Sequence, residues 1–224
     1  MNKPIRVVVL ASGRGSNLQA LVSAQQDGRL PIRIVGVLSD KPAAKALELA
    51  ADAGIAAIAV DPRQSASRLD YDRDLFAQVG ALEPDLVVLA GFMRILDPLA
   101  IAPWLGRVIN IHPSLLPRHT GLHTHRRALE AGDSEHGASV HFVTAELDGG
   151  PLIAQVRMEI REGDTPPDLA DRLLPLEHRL LASSVGMIAS GRVSWSSGVV
   201  CLDGSALGSP LQLQDDDSLV RSSD

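Results

Sequence analysis

Ile5-Arg6-Val7-Val8-Val9-Leu10-Ala11-Ser12-Gly13-Arg14-Gly15-Ser16-Asn17 is a β-branched run that ends in a glycine-rich turn. It reads as a strand, Ile5 to Leu10, joined through Ser12 to Gly15 to a helix over roughly Ser16 to Gln26 that Gly28 closes. The same alternation repeats downstream. Strands are expected at Ile32–Leu38, Ala56–Val60, Asp85–Ala90 and Arg107–Ile111, with helices at Ala43–Ala53 and Ser67–Val79 between them. Strand, helix, strand in this order is the pattern of right-handed βαβ units, so the fold class is α/β with a Rossmann-like open, mostly parallel sheet flanked by helices. Beyond Pro113 the pattern changes. A loop reaches His125, a short helix spans His125–Ala131, and two longer strands, Ala138–Val143 and Leu152–Ile160, flank the turn Glu146-Leu147-Asp148-Gly149-Gly150. These later strands are expected to be mixed or antiparallel. Thr165-Pro166-Pro167-Asp168 starts a helix running to about Ser190, with Pro175 placed to kink it. One domain over residues 1–204 and a polar, disordered tail over 205–224 complete the expectation.

The 224 residues are 45% hydrophobic and 21% charged, an ordinary globular composition, and aromatics at 3% make the core aliphatic. A net charge of −6 speaks against a nucleic-acid surface, yet a helix N-terminus still binds an anion locally. The single cysteine, Cys201, allows no internal disulfide and suits a reducing compartment. Neither a signal-peptide core nor a membrane-length apolar run is present, so a cytoplasmic enzyme or binding protein is expected.

Asn110-Ile111-His112-Pro113 ends the fifth strand. Residues i and i+2 of a strand share a face, so the Asn110 carboxamide and His112 imidazole project together before Pro113 breaks the strand. A fixed donor beside a group that titrates near neutrality suits a reaction through an oxyanion. Asp148, in a turn before Gly149-Gly150, matters if that turn folds back to His112, because a nearby carboxylate favours the protonated ring. Gly91-Phe92-Met93-Arg94-Ile95-Leu96 follows the fourth strand as an apolar loop with one arginine, suited to a planar ligand with an acidic tail. The special loops after strands one, four and five all fall at carboxyl ends, the ligand side of an open α/β sheet. Gly13-x-Gly15 lacks the third glycine of a dinucleotide site, since position 18 is Leu18, so a monophosphate is preferred there even with Asp40 at the end of strand two. Six of the seven histidines lie between His112 and His141. His119, His123 and His125 show neither helical pairing nor a cysteine partner, and no metal is expected.

Together these motifs resemble the phosphoribosylglycinamide formyltransferase family, the folate-dependent transformylases of purine synthesis. The likeness runs from Val7 to about Gly191. Its matching stretches are Ser12 to Asn17, Leu89 to Leu96, Asn110 to Pro117, Gly121 to His125, and His136 to Pro151. It implies 10-formyltetrahydrofolate as donor and 5-phosphoribosylglycinamide as acceptor. By the same likeness Gly15, Ser16, Asn17 and Glu177 contact the acceptor. Arg68, Met93, Arg94, Ile95, Leu96 and Asn110 line the folate site, and Asn110, His112 and Asp148 form the catalytic trio. The flanks of Glu177, Leu174-Pro175-Leu176, are more apolar than the family pattern. Formyltetrahydrofolate deformylase shares this core with water as acceptor and normally carries an N-terminal regulatory domain, whereas strand one here starts at Ile5. Methionyl-tRNA formyltransferase would need a basic RNA-binding domain. A catalytically silent nucleotide or folate sensor is the reading from another class. Partners are expected to be small molecules, with no nucleic acid or membrane, acting on a monomer or weak homodimer.

Overall fold

The computed structural model describes residues 3–222. In chain order it contains β1 (Ile5–Leu10), α1 (Ser16–Gln26), β2 (Ile32–Ser39), α2 (Lys45–Asp52), β3 (Ala57–Ala59), α3 (Arg68–Ala81), β4 (Leu86–Leu89), α4 (Pro98–Ile101) and β5 (Val108–His112). There follow α5 (Thr124–Glu130), β6 (Glu135–Phe142), β7 (Leu152–Glu159), α6 (Pro166–Ala189), β8 (Val193–Ser196), β9 (Val199–Leu202), β10 (Ser205–Ala206), β11 (Leu211–Leu213) and β12 (Leu219–Val220). Among the described residues one sheet has the order β12-β11-β7-β6-β5-β4-β1-β2-β3, and β10-β9-β8 form a second. The five strands β3-β2-β1-β4-β5 are mutually parallel. β6 and β7 are antiparallel additions, as the turn-separated pattern beyond Pro113 required. The Rossmann-like open sheet read from the sequence is therefore present.

Both faces of β4, and of β1 beyond Arg6, are buried, which is why these stretches read as apolar runs. Val7 and Val9 of β1 join Leu86 and Val88 of β4 in a core capped by α1, α2 and α6. Val8, Leu10, Val87 and Leu89 point the other way, onto Tyr71, Leu75 and Val79 of α3. The chain leaves β1 towards β2 and β3, then crosses back to β4 on the opposite side. That reversal opens a crevice beyond the carboxyl ends of β1 and β4, where ligands of such sheets bind. α6 begins with a capping box between Thr165 and Asp168, packs against α1 and β6, and continues past Pro175 as one helix.

One expectation needs correction. Residues from 205 on, expected as a disordered tail, form three short strands. β11 pairs in parallel with β7, and Leu211 is fully buried. Arg179 of α6 donates to the Gln214 and Asp215 carbonyls at 2.7 and 2.9 Å. The run Asp215-Asp216-Asp217 dominated the composition. What decides the structure is the spaced Leu211, Leu213 and Leu219, which cover part of the β7 edge and so leave less of it open to other chains. The short α4 and the β8–β10 sheet also carried too little periodicity to be anticipated.

Gly150 sets the turn after β6. A Cβ there would stand 1.8 Å from the Phe142 carbonyl oxygen, a backbone atom that cannot yield alone. Gly150→Ala is expected to destabilise the protein by about 1–3 kcal/mol. The check is thermal unfolding, and an unchanged melting temperature would contradict the packing argument.

Candidate active site

β5 carries Asn110 and His112 to the carboxyl edge of the sheet, where both line a cavity of about 550 Å³. Its walls are mostly apolar. Met93, Ile95, Leu122 and Leu147 expose 62, 54, 67 and 47% of their surfaces around it, a concentration that marks a ligand site. Asp148 reaches the same cavity from the turn between β6 and β7. Its φ of +52° is a left-handed conformation that aspartate tolerates better than most residues, and it turns the carboxylate inward.

The polar contacts are directional. Gly121 N donates to Asp148 Oδ2 at 2.8 Å, and the same oxygen stands 3.5 Å from His112 Nδ1. His112 Nε2 donates to the His119 carbonyl at 3.0 Å. Asn110 Nδ2 lies 3.2 Å from His141 Nε2, while His141 Nδ1 lies 2.8 Å from the Phe142 carbonyl. That carbonyl can only accept, so the His141 proton sits on Nδ1 and Nε2 receives the Asn110 N–H. Burial pushes the His141 pKa down, consistent with a neutral ring. The arrangement leaves Asn110 a second amide N–H for a ligand.

His141 was not assigned a role from the sequence. Its signal lay in register, because β6 runs antiparallel to β5 and sets His141 directly opposite Asn110. The other histidines disperse. His119 pairs with Asp133 at 2.7 Å, and His125 Nδ1 meets His136 Nε2 at 2.8 Å. Burial depresses both members of the latter pair, His136 to about 4. Among the described residues no three His, Cys, Asp or Glu side chains are grouped as metal ligands. No helix described is long and apolar enough to cross a membrane.

Gly15 caps α1 at φ +78°, and a Cβ there would meet Ala46 at 3.0 Å, so glycine is needed at this turn. Ser16 opens the helix. Asn17 Nδ2 donates to Glu177 Oε2 at 3.2 Å across 160 residues, so the structure unites all four expected acceptor residues. Burial raises the Glu177 pKa, partly opposed by the Asn17 hydrogen bond, and Asn17 Oδ1 is buried without a partner. This set does not line the 550 Å³ cavity itself. It adjoins the cavity through Ser12, whose N–H donates to the Gly91 carbonyl at 3.0 Å.

The 91–97 loop forms one cavity wall. Arg94 lays its guanidinium over the Tyr71 ring at 4.4 Å, and Leu96 is buried. The backbone of Arg94, Ile95 and Leu96 makes no hydrogen bond among the described residues, leaving its amides and carbonyls to meet a heterocycle edge. Arg68 is not brought into the cavity. At the start of α3 it pairs with Asp97, the last residue of the loop, at 3.3 Å.

The chain matches the formyl transferase family over residues 5–185. It is 46% identical to the phosphoribosylglycinamide formyltransferase of Escherichia coli over 203 residues, 91% of this chain and 96% of that protein. A solved phosphoribosylglycinamide formyltransferase from Coxiella burnetii superposes with a TM-score of 0.88 at 45% identity, covering 92% of this chain and 96% of that one. A formyltetrahydrofolate deformylase from Pseudomonas syringae gives 0.80 at 27% identity, covering 89% of this chain and 66% of that one.

Proposed function

Because the chain belongs to the formyl transferase family, we propose that it transfers the formyl group of 10-formyltetrahydrofolate to the amine of 5-phosphoribosylglycinamide, a step of purine (IMP) biosynthesis. One observation carries the reading: Asn110, His112 and Asp148 converge at an apolar cavity that adjoins a helix-start turn paired with Glu177. The donor's planar ring lies along Met93, Arg94, Ile95 and Leu96, with Arg68 outside the cavity for its acidic tail. The acceptor's phosphate sits at Gly15, Ser16 and Asn17, where the N–H groups and dipole of α1 favour an anion, and Glu177 contacts the same molecule.

The acceptor amine attacks the formyl carbon, a C–N bond forms, and the carbonyl pair moves onto oxygen. The remaining Asn110 N–H and the His112 Nδ1–H meet that oxyanion. Asp148 and the His119 carbonyl are both acceptors, so a doubly protonated His112 ring satisfies both. The amine gives up its proton through Asp148 or a water beside it. As the donor's C–N bond breaks, its nitrogen takes a proton from His112, which Asp148 restores. Positioning of the two substrates supplies much of the remaining acceleration. The reading takes the chain as one formyltransferase domain acting in the cytoplasm as a monomer or weak homodimer. Small molecules are its partners, without nucleic acid, membrane or metal.

Water in place of the amine would make the same trio hydrolytic, and the deformylase likeness makes that the rival to test. Mixing the protein with both substrates and following absorbance as deformylated folate appears separates the readings. Turnover that requires the acceptor supports transfer. Turnover on donor alone means a hydrolase, and none means a binding protein.

Glu177 offers a second check. Its raised pKa means the folded state holds the proton more tightly than the unfolded chain, whose value is near 4.5. Stability from this group is therefore retained below pH 4.5 and lost as pH rises through the folded value. Glu177→Gln keeps an acceptor for Asn17 and removes the charge. Its melting temperature should exceed wild type at pH 7, with the advantage gone below pH 4.5. The KM for the acceptor should rise about tenfold. An unchanged acceptor KM would take Glu177 out of the binding site.

A further inference from the structure

The loop 91–97 has few internal ties, yet buried polar groups hold it at both ends. At its far end the Asp97 amide donates to Asp72 Oδ2 at 2.7 Å, and Asp72 is fully buried. At its near end the Met93 amide donates to Ser12 Oγ at 2.8 Å, while Ser12 N–H donates to the Gly91 carbonyl at 3.0 Å. Ser12 is only 3% exposed. It also starts the turn that leads to Gly15, Ser16 and Asn17, and the next carbonyl, that of Gly13, is held by the Ala46 amide at 3.1 Å. The turn is therefore fastened to α2 on one side and to the 91–97 loop on the other.

We propose that Ser12 is a positioning residue that ties the acceptor turn to the donor loop, setting the two substrates against each other through one residue. This rests on the formyl-transfer reading above. Reacting atoms must approach within about 3–3.5 Å, so a relative shift of the two loops is felt by both substrates. Without the Ser12 hydroxyl the Met93 amide, in a part-buried position, has no acceptor, and only the backbone bond from Ser12 N–H to the Gly91 carbonyl still joins the loop to the turn. Asp72 holds the same loop but touches nothing on the acceptor side, which makes it the natural comparison.

Steady-state kinetics with each substrate varied in turn test this. Ser12→Ala should raise the donor KM about tenfold and the acceptor KM at least about threefold, with kcat within about threefold of wild type. Asp72→Ala, which leaves the Asp97 amide without its acceptor, should move the donor KM alone. A Ser12→Ala change confined to kcat or to one KM overturns the proposal. So does an Asp72→Ala variant that shifts both KM values in the same proportion, which would mean general loosening. Hydrogen exchange on the unaltered protein needs no variant to fold. Acceptor alone should slow exchange of the Met93 amide, and no slowing overturns the proposal. Absence of wild-type transfer would instead overturn the function itself, so the two failures are distinguishable.

Discussion

His112→Ala is expected to lower kcat by about 10²–10³-fold while the protein stays folded. The ring's Nε2–H is committed to the His119 carbonyl at 3.0 Å, so Nδ1 is the nitrogen left to face the reacting group. It stands 3.5 Å from Asp148, longer than a normal N–H···O contact, and an oxyanion arriving beside it can accept that hydrogen bond. Alanine removes both the donor and the proton source of the leaving nitrogen. The backbone of β5 is held on both sides by β4 and β6, so the strand survives the truncation. Circular dichroism and melting temperature check the fold, and turnover is read at saturating donor and acceptor. A variant within about threefold of wild type would remove His112 from the chemistry.

Asn110→Ala should cost a similar factor in kcat, about 10²–10³-fold, for a different reason. One amide hydrogen of Asn110 is engaged by His141 at 3.2 Å, which holds the other in a fixed direction before substrate arrives. A donor already oriented needs no reorganisation as charge develops on oxygen. The same substitution leaves His141 Nε2, in a ring that is 2% exposed, without its partner. Stability should therefore fall by about 1–3 kcal/mol as well. A loss of turnover with no loss of stability would mean that His141 does not hold the amide. Normal turnover would remove the oxyanion role.

Local pattern reached the strands and helices of the parallel half because each is announced within a few residues. β4, and β1 beyond Arg6, are apolar on both faces, α1 begins at the Gly13–Gly15 turn, and α6 carries its Thr165-Pro166 start. The same reasoning put Asn110 and His112 on one face, since alternation along a strand is a property of its backbone. It could not weigh Leu211 and Leu213 against the acidic residues that follow them. Whether such a segment orders depends on an edge being available beside it, and β7 supplies one. Arg68 shows a different limit, because a helix start read from sequence does not say that its side chain leans onto Asp97.

By itself the amino-acid sequence determined the α/β class, the loops at the carboxyl ends of β1, β4 and β5, and the shared face of Asn110 and His112. Each follows from backbone periodicity and turn chemistry acting over a handful of residues. Only the tertiary structure decided that Asp148 meets His112, that Asn17 meets Glu177 across 160 residues, and that His141 orients Asn110. Those contacts depend on the register of β6 against β5 and on α6 packing against α1. Register and packing are settled by the burial of whole faces against one another, a free energy summed over many distant residues and carried by no single stretch of chain.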